Sequence, residues 1–177
     1  RSSLDPKTGK VPVEPFFLYI HYMDVHGPYI PKDKYDVFSA APSTFEEKLS
    51  VSQAFINAGL DGRTDEMKGL RDQAMALYDG QIREADDSVG AVIAMLKSMG
   101  LYDSALIVLT ADHGEAFGEH GQVQHGGSVY ETQLHTPLVI KRPGQKTSAR
   151  TEILSRSIDI APTILRECGF RSRHLGE

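Results

Sequence analysis

Tryptophan is absent and cysteine nearly so: the 177-residue chain has no Trp and a single cysteine, Cys168. One thiol excludes an internal disulfide framework and any zinc site built from clustered cysteines. Long apolar runs are missing too. The runs at 16–20, 91–96 and 105–109 fall far short of the roughly 20 residues that span a bilayer, so no transmembrane segment is expected. Nor is there a block of basic charge. Lys and Arg number 19 against 24 Asp and Glu, for a net charge of -5, which argues against general binding to nucleic acid or an anionic membrane. No internal repeat or low-complexity tract occurs. What is present is enough for a core: 40% of the residues are hydrophobic, too many for a disordered chain. The length suits one domain better than two. The chain begins at Arg1, with no Met and no secretory-type apolar stretch, and is expected to be a piece of something longer.

Residues 1–15 are polar, with three prolines and a glycine, and read as a linker or surface arm. Residues 16–20 are continuous, apolar and aromatic, which predicts a short buried strand. The stretch 31–64 reads as a long excursion with one short helix near 44–58, and excursions of this length are commonly lids or binding loops. Apolar residues then recur at three- and four-residue steps from Met67 through Leu77, Ile82 and Val89 to Met99, which predicts one long amphipathic helix. Asp65 and Glu66 suit its first turn, and Gly100 suits its stop. Residues 105–110 and 137–141 read as strands buried on both faces. Ile158 to Cys168 reads as a helix, with Pro162 tolerated in its first turn and Gly169 ending it. Strands alternating with helices imply an α/β layered sheet over 16–170, followed by a polar tail at 171–177.

The chemistry gathers just after the stronger strand. Three histidines and three carboxylates fall between Asp112 and His125, interleaved with glycines that let backbone approach a ligand closely. Ligands of open α/β sheets bind beyond the carboxyl ends of the strands, where Asp112 and His113 stand. A hard carboxylate oxygen beside an imidazole nitrogen suits a divalent metal; the same pair also suits a turn with a capping carboxylate. Two donors do not complete a metal site, and the remaining ligands would come from outside this chain. Asp86 and Asp87 lie mid-helix and read as a solvated face or as supporting a ligand from behind. Glu119 and His120 read as ordering the loop, Glu115 as backing His113 or the backbone, Tyr130 and Glu131 as positioning the loop, and Asp24 as capping a turn. His21 reads equally as packed or functional, and His135 and His174 take no role.

Five segments, in order, resemble those of the sulfatase branch of the alkaline phosphatase superfamily. Phe17-Leu18-Tyr19 running into Asp24-Val25-His26-Gly27-Pro28-Tyr29 is similar to the sulfatase segment that carries the substrate histidine. Tyr78-Asp79-Gly80-Gln81-Ile82 through Asp86-Asp87-Ser88-Val89-Gly90 resembles the family's long helix. LIVLTADHGEAFGEHG at 106–121 resembles the second metal segment. His125-Gly126-Gly127-Ser128-Val129-Tyr130-Glu131 with Thr136-Pro137-Leu138-Val139-Ile140 resembles the next signature. Ser157-Ile158-Asp159-Ile160-Ala161-Pro162-Thr163-Ile164-Leu165 resembles the helix near the end of the catalytic domain.

The resemblance implies an alkaline-phosphatase-like α/β/α sandwich, present in part as the C-terminal half of the catalytic domain. It implies that Asp112 and His113 are metal ligands. It implies that His26 contacts the sulfate and protonates the leaving oxygen, work suited to a group titrating near neutrality. His125 stands where relatives carry a lysine or histidine facing the sulfate, offsetting charge on the transferring group. The formylglycine nucleophile and the first pair of metal-binding aspartates lie upstream in the family and are absent here. Cys168 does not fit the nucleophile motif, with Phe170 and Ser172 at the Pro/Ala and Arg places. The implied function is metal-dependent hydrolysis of a small-molecule or glycan sulfate ester, with Ca2+ as the metal and the missing N-terminal half as partner. A relative acting on phosphorus, either a phosphonate monoester or phosphodiester hydrolase or a phosphoglycerol or phosphoethanolamine transferase, would instead take Mn2+ or Zn2+. A non-catalytic, truncated homologue is the third alternative.

Overall fold

The computed structural model describes residues 15–40 and 43–170. The arm and tail expected at 1–15 and 171–177 lie outside these residues, apart from Pro15. Two helices form the body. Helix α1 (Phe45–Leu60) starts at Thr44, whose hydroxyl accepts the Glu47 N–H while Glu47 accepts the Thr44 N–H, a reciprocal cap that satisfies two otherwise orphaned donors. Helix α2 (Thr64–Ser98) realises the long apolar repeat. The two pack side by side around Tyr29, Phe55, Ile56, Ala58, Met67, Ala74 and Leu77, joined by Phe117 and Val123 from a short strand pair. Four aromatic rings (Tyr29, Phe55, Tyr78 and Phe117) meet at centroid distances of 5.0 to 5.7 Å, in the offset and edge arrangements that ring quadrupoles favour.

The strands are short. β1 (Ile107–Thr110) pairs antiparallel with β4 (Leu138–Lys141), in the register Leu109↔Val139. β2 (Ala116–Phe117) pairs antiparallel with β3 (Val123–Gln124). A single turn, α3 (Glu131–Leu134), and the helix α4 (Ile160–Glu167) complete the described strands and α-helices. Helices with small antiparallel sheets make this a partial α/β fold of the alkaline-phosphatase-like kind. Two expectations fail in detail. Residues 16–20 form no strand and are 43% to 77% exposed, and β1 and β4 are not buried on both faces, since Val139 is 57% exposed. An apolar run becomes a buried strand only when a neighbour supplies both ladder and cover. Among the described residues none pairs with 16–20, and β1 and β4 pair only with each other.

The segment after His26 is clamped to both long helices. The Tyr29 N–H donates to Ser52 Oγ of α1 at 2.7 Å. Lys48 of α1 is 1% exposed and donates to the Pro31 carbonyl at 3.1 Å and to Asp33 at 2.8 Å, with Asp36 at 3.4 Å. On α2, Glu84 binds both the backbone and the ammonium of Lys32, and Asp87 accepts from Tyr35 Oη at 2.9 Å. A Cβ on Gly80 would lie 2.8 Å from Pro31 Cγ, so only glycine lets this segment approach α2 so closely.

Candidate active site

Four residues proposed from the sequence come together. His26, from the clamped segment, meets His125 edge to face at a ring distance of 5.2 Å. His125 stacks on His113 at 3.9 Å and 27°. Asp112 Oδ1 lies 3.7 Å from His113 Nε2 and accepts the His113 backbone N–H at 3.1 Å. Residues nearly a hundred positions apart in the chain thus present three imidazoles and a carboxylate on one open face.

Backbone carbonyls set two of these rings. Nδ1 of His26 lies 2.7 Å from the Gly27 oxygen, and Nδ1 of His113 lies 2.8 Å from the Gly114 oxygen. A carbonyl only accepts, so each ring carries its proton on Nδ1 and turns Nε2 outward. The loop that holds them is braced from β3 and α3. The Gly114 N–H donates to the Gln133 carbonyl at 2.8 Å, and a Cβ at Gly114 would fall 2.2 Å from the Thr132 oxygen. The buried Gln133 side chain accepts the Gly126 N–H at 3.1 Å and donates to Gln122 at 3.3 Å. Arg71 of α2 donates to Glu119 at 3.0 Å, while Glu119 also accepts the Phe117 N–H at 2.6 Å. His120, at φ 54°, stacks on Tyr130 at 3.8 Å. Asp24 lies in a turn closed by the His26 N–H on the Met23 carbonyl at 3.1 Å.

Sequence reasoning missed Arg71 and Gln133. Arg71 was detectable as a charge four residues after Met67 on the buried stripe of α2; Gln133 carries no such signal. Glu115 was read towards His113 or the backbone; its carboxylate instead accepts from His125 Nδ1 at 3.2 Å.

Asp112 and His113 offer one carboxylate oxygen and one imidazole Nε2, both open to solvent. That donor set supplies two of the ligands that a divalent cation takes. No group of three or more His, Cys, Asp or Glu that could hold a metal occurs among the described residues. No helix there is long and apolar enough to cross a membrane.

The family model for Sulfatase matches residues 8–169. The chain belongs to the sulfatase family. Among curated relatives it is similar to the multifunctional alkaline phosphatase superfamily protein PehA of Trinickia caryophylli, at 33% identity over 88% of this chain and 34% of that protein. It is 32% identical to human arylsulfatase K over 59% of this chain and 19% of that protein. It is 28% identical to the N-acetylglucosamine-6-O-sulfatase of Bacteroides thetaiotaomicron over 76% of this chain and 25% of that protein. The chain thus spans about a third or less of the length of these relatives. No solved structure matches it.

Proposed function

We propose that this chain supplies the leaving-group side and half the metal site of a sulfuric ester hydrolase, whose formylglycine nucleophile stands on an N-terminal half outside these residues. The observation that supports the reading most is the meeting of His26, His125, His113 and Asp112 at one face. His26, held at Nδ1 by Gly27, directs Nε2 outward and in its protonated form donates to the departing alcohol oxygen. His125, between the other two rings, lies where a cationic donor would meet charge developing on the transferring group. Asp112 and His113 would hold a divalent cation, Ca2+ for a sulfate ester. When bound, that cation supplies Lewis-acid polarisation of the ester oxygens.

A second reading has one observation of its own. The relative that matches 88% of this chain is described as multifunctional within the alkaline phosphatase superfamily, and an imidazole donor at His113 suits Mn2+ or Zn2+. A phosphonate monoester or phosphodiester hydrolase, or a transferase acting on phosphorus, would fit both facts. Tandem mass spectrometry of the upstream nucleophile peptide in a full-length protein that contains this chain separates the two. Formylglycine there, with metal-dependent release from an aryl sulfate, supports the sulfatase. An unmodified serine or threonine with turnover of phosphorus esters alone replaces it with the second reading.

A further inference from the structure

The Glu115 carboxylate is unlike its neighbour Asp112. The Asp112 side chain is 75% exposed, whereas that of Glu115 is 6% exposed. Glu115 sits at the edge of the aromatic core, facing the phenols of Tyr29 and Tyr78. The Tyr29 hydroxyl is buried and has no hydrogen-bond partner of ordinary geometry among the described residues. Burial first, and the facing Glu115 charge second, push the Tyr29 phenol upward and hold it protonated. Withdrawing a carboxylate from water is unfavourable unless a partner satisfies it. The partner that a buried carboxylate takes therefore decides what it does.

The β2–β3 ladder supplies that partner. Ala116 pairs with Gln124, so Glu115 and His125 stand opposite each other one step further along. Gln124, just before His125, holds the left-handed backbone at φ 62°, a conformation that non-glycine residues rarely adopt. The turn that it makes delivers the His125 ring to Glu115, with Nδ1 3.2 Å from Oε1. A carboxylate accepts, so Nδ1 donates. We propose that Glu115 is a positioning residue, whose buried carboxylate grips His125 at Nδ1 and makes Nε2 the atom that His125 presents to the bound ester. The three site histidines then share one arrangement: each ring is anchored at Nδ1, by a carbonyl for His26 and His113 and by a carboxylate for His125, and each offers Nε2. The carbonyl anchors are the rings' own chain neighbours, whereas Glu115 is a side chain and is open to replacement by mutation. The ester-facing role of His125 rests on the function proposed above; the grip does not.

The test reads the ring directly. In the 177-residue chain at about pH 8, where ordinary imidazoles are neutral, long-range proton–nitrogen correlation spectra identify which ring nitrogen carries hydrogen. His125 is expected as the Nδ1–H tautomer in the wild type, and Glu115→Leu should move it towards Nε2–H while His26 keeps its Nδ1–H signature. Thermal unfolding of Glu115→Leu confirms that the variant is folded before its tautomer is read. His125 found as Nε2–H in the wild type overturns the proposal even if the leucine variant does not fold. An unmoved tautomer in a folded Glu115→Leu overturns it equally. In a full-length protein, the same substitution should lower kcat by about 10- to 100-fold, as loss of a side chain that orients a working residue commonly does, with KM nearly unchanged. If no ester is turned over at all, the functional reading fails while the tautomer result stands.

Discussion

Asp112 and His113 are adjacent in sequence but are held by different means. The carboxylate caps the His113 N–H, and the imidazole is fixed through Gly114. Replacing either by Ala in a full-length protein is expected to abolish metal-dependent turnover and to weaken metal binding measured by calorimetry; full activity in either variant would remove the ligand assignment. His26 gives a sharper test. His26→Ala should slow esters of poor leaving groups far more than those of good ones, because only a poorly stabilised alkoxide needs a proton as it departs. An equal loss across a leaving-group series, followed by initial rates, would contradict the acid role. The position of Asp112 and His113 was legible because strand ends mark where ligands bind, whereas His26 was singled out only by the family resemblance. The partner of Glu115 was not legible, because its choice between His113 and His125 depends on the pairing of two strands of two residues each. Strands that short carry no periodicity to read.

Helix α2 was legible almost to its ends, since one apolar stripe over so many turns has few alternative explanations, and the start of α1 was marked by Thr44. The clamp between them was not legible. Lys48 lies in what reads as a solvated excursion, and only folding shows that it is buried against Pro31, Asp33 and Asp36. Burial pushes the Asp36 carboxyl up, but hydrogen bonds from Ser39 and Ser43, with the ammonium of Lys48, outweigh it and hold the group below the usual carboxylate range. A carboxyl depressed in the folded state stabilises it above the unfolded value, about 3.9, and that contribution is lost as pH falls through the folded value. Chemical denaturation between about pH 5 and pH 2 should therefore show a steeper acid loss in the wild type than in Asp36→Asn. Parallel curves would mean that Asp36 does not carry the dependence.

At the scale of the molecule, apolar surface is left uncovered. Phe17, Val139, Ile153 and Leu154 are among the large hydrophobic side chains that stand exposed, and removing apolar surface from water favours association. The isolated chain is expected to self-associate as its concentration rises, with sedimentation velocity as the measure; a monomer that persists at high concentration would mean that these side chains do not act as an adhesive face. Strand expectations for 16–20 failed for the same reason: the sequence shows an appetite for burial but not what satisfies it. The burial along α2 is itself uneven. The helix is about 52 Å long at ~1.5 Å per residue, and its buried positions run from Met67 to Glu84, with none beyond. It is built as a cantilever, rooted where Arg71 reaches the loop of the site, where Lys32 grips Glu84 and where Tyr35 reaches Asp87, with no buried residue over its last three turns. Amide hydrogens between 67 and 84 should exchange with deuterium more slowly than those from 86 to 98, so the root that carries the site stays rigid while the tip frays.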